Sequence, residues 1–260
     1  MEILTWVVLV TLIAGIGGTG LGGIVGALLR RDSDKIISLL LSFAGGIMLS
    51  VVSFDLIAGA IFPSGTQSKA DILLVISGIL VGYGAVSLLN TAIDRRINRK
   101  PADAARRPDR LLVGGLVMAA AIALHNLPEG MVIGAGYAAG SAAVRTAGSG
   151  FLLAVVIGLH NIPEGMAVAV PLLAGGMRPR HAVLLTALTG APTILGALAG
   201  YLLGMAGPIS LSMSLSFASG AMLYVVLGEL LPESARLWRG KLPALAALLG
   251  ILLGLVIIYQ

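Results

Sequence analysis

The sequence predicts an all-α membrane protein of eight transmembrane helices, in which an inverted repeat relates helices one to three to helices six to eight around a central pair, helices four and five. Three observations predict it. Hydrophobic residues make up 57% of the 260 and charged residues only 11%, with a mean hydropathy of +1.00, far from the composition of soluble domains. The apolar residues are gathered into eight runs, each near or above the ~20 residues that cross a bilayer. Finally, two stretches of sequence recur, one as a neighbouring pair of motifs and one between distant helices.

The runs fall at 3–29, 36–61, 71–93, 111–139, 149–175, 182–205, 209–232 and 242–259. Basic residues set their direction. Arg30, Arg31 and Lys35 follow the first run, seven basic residues from Arg95 to Arg110 the third, Arg178 and Arg180 the fifth, and Arg236, Arg239 and Lys241 the seventh. Only Lys69 and Arg145, of 17 Lys and Arg, fall on the other side, so the positive-inside rule places both termini outside the cytoplasm. The chain is expected to be one transmembrane domain over 1–260, with 94–110 as a basic cytoplasmic loop bearing Pro101 and Pro108. The expected location is the plasma (inner) membrane. The formal charge of +5 is accounted for by these surface segments, and no nucleic-acid partner is expected. Met1 to Trp6 carry no Lys or Arg, so a removed signal peptide is not expected.

The first run is rich in glycine, from Gly15 to Gly26. No strand precedes it and no Gly-Lys-Ser/Thr follows, so these glycines read as close helix packing and not as a phosphate loop. Between the second and seventh runs, Ser42 to Ala60 matches Ser216 to Ser234: Ser-Phe-Ala, a Gly two residues on, Met-Leu and Val-Val recur in register, and Asp55 faces Glu229. The two runs point in opposite directions, which is the signature of an inverted-topology repeat with its substrate site near the midplane.

The fourth and fifth runs carry His-Asn-Leu-Pro-Glu-Gly at 125–130 and His-Asn-Ile-Pro-Glu-Gly at 160–165. His125 and Glu129 are four apart, as are His160 and Glu164, so each pair projects from one helical face and offers an imidazole nitrogen beside a carboxylate. Pro128 and Pro163 remove a backbone donor and free the carbonyls of Leu124 and Leu159 beside those ligands. A carboxylate at the bilayer centre costs about 2.5 to 3.5 kcal/mol, and two of them facing one another require a cation or protons between them. The absence of cysteine excludes thiolate ligands and leaves His, Asn, Asp and Glu, with Met as the one soft donor. Asn126 and Asn161 read equally well as further ligands and as interhelical hydrogen bonders. Met48 and Met222 read as packing. Asp55 and Glu229 each lie seven residues beyond those methionines, toward opposite sides of the membrane, as acids at the two mouths of one path.

With these residues in place, the chain resembles the ZIP family of divalent metal transporters over nearly its whole length, on the doubled His-Asn-x-Pro-Glu-Gly of helices four and five. The resemblance implies transport of zinc, or of iron, manganese or cadmium, into the cytoplasm. It implies a site on His125, Glu129, His160 and Glu164, with Met48 at the position of the family's Met ligand and Glu229 at that of an acid on the inner release path. It also implies alternating access, with helices one, four, five and six sliding against two, three, seven and eight, and assembly as a homodimer in the lipid bilayer. In many members a Glu before the Pro of helix six completes a second metal site. Here the sequence reads Leu-Thr-Gly-Ala-Pro, and Ala191 offers no ligand, so one strong site is expected.

The metal is the transported substrate and no catalytic cofactor is expected. Metal binding expels protons from the ligands, so uptake is expected to weaken as the outside pH falls. A dication moving toward a negative interior gains about 4.6 kcal/mol per 100 mV, which drives transport without ATP. Two rivals remain at the level of sequence. An intramembrane metallohydrolase needs a general base that is not itself a ligand, and no His-Glu-x-x-His is present. A passive divalent cation channel would use the same ligands but without saturable, slow flux. A metal-sensing receptor would need an output module, and the loops are too short to supply one.

Overall fold

In a computed structural model of the chain, residues 3–28, 34–63, 70–97, 107–139 and 148–259 are described. All regular elements among them are helices: α1 Ile3–Leu28, α2 Asp34–Ile61, α3 Ile72–Ile97, α4 Arg107–Ala139, α5 Ser149–Ala174, α6 Pro179–Met205, α7 Pro208–Leu237 and α8 Leu242–Ile258. Seven of these, α1 to α7, are long and apolar enough to cross a membrane, and the protein is an integral membrane protein. The eighth, α8, is a 17-residue apolar helix, shorter than the others. At 1.5 Å per residue it extends about 25 Å, at the short limit for a hydrocarbon core ~30 Å thick. Arg30, Arg31, Lys69, Arg145 and the middle of the 94–110 link lie outside the described residues.

Apolar exposure is inverted relative to a soluble protein. Leu73, Leu80 and Leu88 of α3 are 70%, 66% and 73% exposed, at helical spacing along one face, while many serines and threonines and the His, Asn and Glu of both motifs are buried. Lipid is the solvent in which such a surface is stable. Some buried hydroxyls are satisfied within their own helix, as where Thr11 donates to the carbonyl of Val7 at 2.7 Å and Ser219 to that of Leu215 at 2.7 Å, and others bond across helices, as Ser38 does to the carbonyl of Ser234 at 2.8 Å.

Small residues decide which helices touch. The glycines of α1 lie against α5: a Cβ at Gly22 would fall on the carbonyl oxygen of Ile162, and 2.8 Å from the Cα of Gly165. The glycine-rich run is therefore a packing stripe, as its sequence implies. In the same manner α4 packs on α6, α2 on α8 and α3 on α7, while α4 and α5 pack on each other at the centre.

Four irregularities were not legible in the sequence. Single π-helical turns interrupt α1 at Ile13–Gly17, α2 at Val51–Leu56 and α7 at Val226–Leu230. The fourth is a break in α6 at Gly190–Ala191, between helical stretches Pro179–Thr189 and Pro192–Met205. Pro192 removes a donor and its ring clashes with the carbonyl four residues back, so the chain tightens ahead of it: Ala191 N–H donates to the carbonyl of Leu188 at 3.1 Å. Gly190 lets that break approach Gly15 closely. Pro128 and Pro163, by contrast, are carried inside continuous helices α4 and α5.

Candidate metal centre

The fourfold spacing of each motif and the packing of α4 on α5 bring four side chains together. His125, Glu129, His160 and Glu164 each offer a ligand atom, all within 4.8 Å of one another, and all four are buried. Nε2 of His125 lies 3.0 Å from Oε1 of Glu129 and 3.1 Å from Oε1 of Glu164. Nε2 of His160 lies 2.6 Å from the same Glu129 oxygen. Glu129 thus bridges both rings, and each histidine reaches across to the carboxylate of the other motif.

The donor set fits a divalent cation. Four ligands ~2.1 Å from an ion sit about 3.4 Å from each other in a tetrahedron, a value bracketed by the observed separations of 2.6 Å to at most 4.8 Å. Two carboxylates supply two negative charges when ionised, and among the described residues no lysine or arginine side chain is buried to balance them. The second oxygens, Oε2 of Glu129 and Oε2 of Glu164, and Nδ1 of both histidines are buried without a hydrogen-bond partner among the described residues. Buried polar atoms left in this state mark a site that binds something polar or charged.

The two asparagines part company. Asn126 donates from Nδ2 to the carbonyls of Ile122 at 2.9 Å and Thr189 at 3.0 Å, and its Oδ1 accepts from Thr193 at 3.1 Å. Two of these three bonds join α4 to the break in α6, and the third returns to α4 itself. Asn161 donates to the carbonyl of Ala14, in the π turn of α1, at 3.0 Å, but its Oδ1 is buried and unpartnered. Thr189, Thr193 and Ala14 were not singled out in the sequence: a threonine beside a proline and an alanine in a glycine-rich helix carry no distinguishing signal.

Met48 and Met222 are fully buried in the apolar core shared by the helices. Asp55 is half-buried in the π turn of α2 and lines a cavity of about 280 Å³ with Ser149, Leu153, Val156 and Ile258. Val156 is one helical turn before His160, so this cavity reaches toward the quartet from the end of the bundle that holds the C-terminus. Glu229 is half-buried in the π turn of α7. His181 is exposed at the start of α6, away from any role at the site.

The model of the family described as ZIP zinc transporter matches residues 91–259, most of the chain and both copies of the motif. The chain belongs to the ZIP family. Among curated ZIP relatives, the zinc transporter ZupT of Chlorobium luteolum is 34% identical, over 96% of this chain and 94% of its own length. ZupT of Chlorobaculum parvum is 32% identical over 86% and 85%, and the zinc transporter ZIPB of Bordetella bronchiseptica 33% identical over 86% and 71%. As a ZIP protein the chain is a transporter and not an enzyme, and a metal ion is its substrate in place of a cofactor.

Proposed function

We propose that this chain is a carrier that takes a divalent metal, zinc first, into the cytoplasm by alternating access through His125, Glu129, His160 and Glu164. One observation carries the reading: two rings and two carboxylates, one of each from either motif, converge in a buried cluster, with no buried lysine or arginine among the described residues. Asn161, whose Oδ1 has no partner, is the better placed of the two asparagines to add a ligand, and Asn126 serves as a latch between α4 and α6. Met48 is the soft donor of the set. With Ala191 in place of an acid, the chain holds one strong ion.

Alternating access needs two related halves, and the packing supports them. In the alignment of the second and seventh runs Ser38 matches Ser212 and Ala60 matches Ser234. The Ser38 hydroxyl donates to the carbonyl of Ser234 at 2.8 Å, and that of Ser212 to the carbonyl of Ala60 at 2.6 Å. The π turns of α2 and α7 fall at matching places, each bearing its acid, Asp55 or Glu229. Gly46 meets α8 as its counterpart Gly220 meets α3. The pairings α2 with α8 and α7 with α3, and α1 with α5 and α6 with α4, are those an inverted repeat requires, with α8 as the eighth crossing. In this reading α2 and α7, clamped by serines near both ends, are scaffold, and Asp55 and Glu229 draw the cation in from outside and release it inside. Both termini are outside the cytoplasm, the 94–110 link is a cytoplasmic loop, and the membrane is the plasma membrane.

The test is reconstitution in liposomes with a trapped metal indicator, comparing wild type with Glu129→Ala across zinc, iron, manganese and cadmium. Saturable uptake of zinc that the substitution abolishes supports the reading. Flux linear in concentration would replace the carrier with a channel, and flux indifferent to Glu129→Ala would overturn the assigned site.

A further inference from the structure

We propose that the groove between α2, the α7–α8 turn and α8 binds an anionic phospholipid. The inference rests on the membrane placement alone and is independent of the metal reading, since no residue of the groove belongs to the quartet.

The groove encloses about 680 Å³. One wall is a single face of α8: Ala244, Ala247, Leu248 and Ile251 follow the i, i+3, i+4, i+7 spacing that aligns side chains along one side of a helix. The two alanines hollow that face, and Leu231 of α7 stands opposite. From Lys241 to Ile251 the wall descends about 15 Å at 1.5 Å per residue, enough for the upper part of an acyl chain.

The rim has the opposite character. Trp238, Arg239 and Lys241 stand at the mouth, and the Lys35 ammonium from the start of α2 lies 5.5 Å from the centroid of the Trp238 ring, so three cations surround one interfacial tryptophan. Of the nearby acids among the described residues, Glu233 is paired to Arg236 at 2.8 Å, leaving Asp34 against the three cations. At the back, Ser42 and Ser234 bond each other at 2.6 Å and are spent within the protein. Cations at the headgroup level above an apolar furrow match a negatively charged headgroup attached to a hydrocarbon chain. A free phosphate would leave the furrow unused, and a zwitterionic lipid would leave the cations without a matching charge.

The test uses the purified, delipidated full-length chain in detergent, with lipid binding measured by native mass spectrometry and thermal unfolding. Phosphatidylglycerol is expected to bind and to raise the unfolding temperature more than phosphatidylcholine or inorganic phosphate. The double variant Arg239→Gln, Lys241→Gln, at two exposed positions, should weaken phosphatidylglycerol binding about 30-fold, roughly fivefold per basic residue. Ala244→Phe, which fills the furrow and keeps the charges, should weaken it as well. Metal binding should be unchanged in both. Undiminished phosphatidylglycerol binding in the double variant, equal binding of phosphatidylcholine, or an equal effect of inorganic phosphate would each overturn the proposal.

Discussion

Replacing Glu129 with Gln removes one of the two carboxylates of the proposed metal site while preserving the shape of the side chain. Its Oε1 touches both rings, at 3.0 Å from His125 and 2.6 Å from His160, so it stands at the middle of the quartet. At an effective dielectric of 20, unit charges ~4 Å apart interact by about 4 kcal/mol, and a carboxylate with a dication at that separation by about 8 kcal/mol, a lower bound for a ligand oxygen that closes to ~2.1 Å. Against this, the metal-free wild-type site carries the mutual repulsion of two carboxylates, about 4 kcal/mol by the same measure, which Gln relieves. The difference is about 4 kcal/mol, or roughly a thousandfold in Kd. The assay is competition with a chromophoric chelator on purified protein at constant pH. The metal-free variant should unfold at the same temperature as wild type or higher, because a buried carboxylate has been removed. A loss of affinity smaller than about tenfold would refute the claim that this carboxylate neutralises the ion. So would a metal-free variant that unfolds well below wild type, since it would make Glu129 a structural bond between α4 and α5.

Three further outcomes are expected. Because metal and protons compete for the same nitrogens and oxygens, apparent zinc affinity should weaken steadily as pH is lowered from about 7.5 to about 5.5, with protons released on binding, and a flat profile in a calorimeter run in two buffers would contradict it. Gly22→Val places its side chain on the carbonyl of Ile162 and should cost about 1 to 3 kcal/mol by overpacking at the α1–α5 crossing, read as a lower unfolding temperature in detergent, whereas the same change at Gly114, where a Cβ meets nothing within 4 Å, should cost far less. Ala191→Glu, at the break of α6 beside the latch formed by Asn126 and Thr193, should raise the number of ions bound per chain from one toward two, counted by anomalous scattering or elemental analysis, while two ions in the unaltered chain would refute the single-site reading.

The sequence by itself determined the membrane class, the long apolar helices, the family and the four side chains of the quartet. These follow from hydropathy, run length and i, i+4 spacing, all of which act within one helix and survive without knowledge of its neighbours. It left the role of the asparagines open between ligand and hydrogen bonder. Only the tertiary structure separated them, because identical residues in the two motifs meet different neighbours: Thr193 takes the oxygen of Asn126, and among the described residues none takes that of Asn161. It likewise decided the π turns that present Asp55, Glu229 and the Ala14 carbonyl, since one extra residue per turn costs too little to leave a mark in composition or periodicity. The length of α8 and the groove beside it also belong to packing. There, two alanines on one helix and a tryptophan at the end of another acquire meaning only once the chain has folded them together.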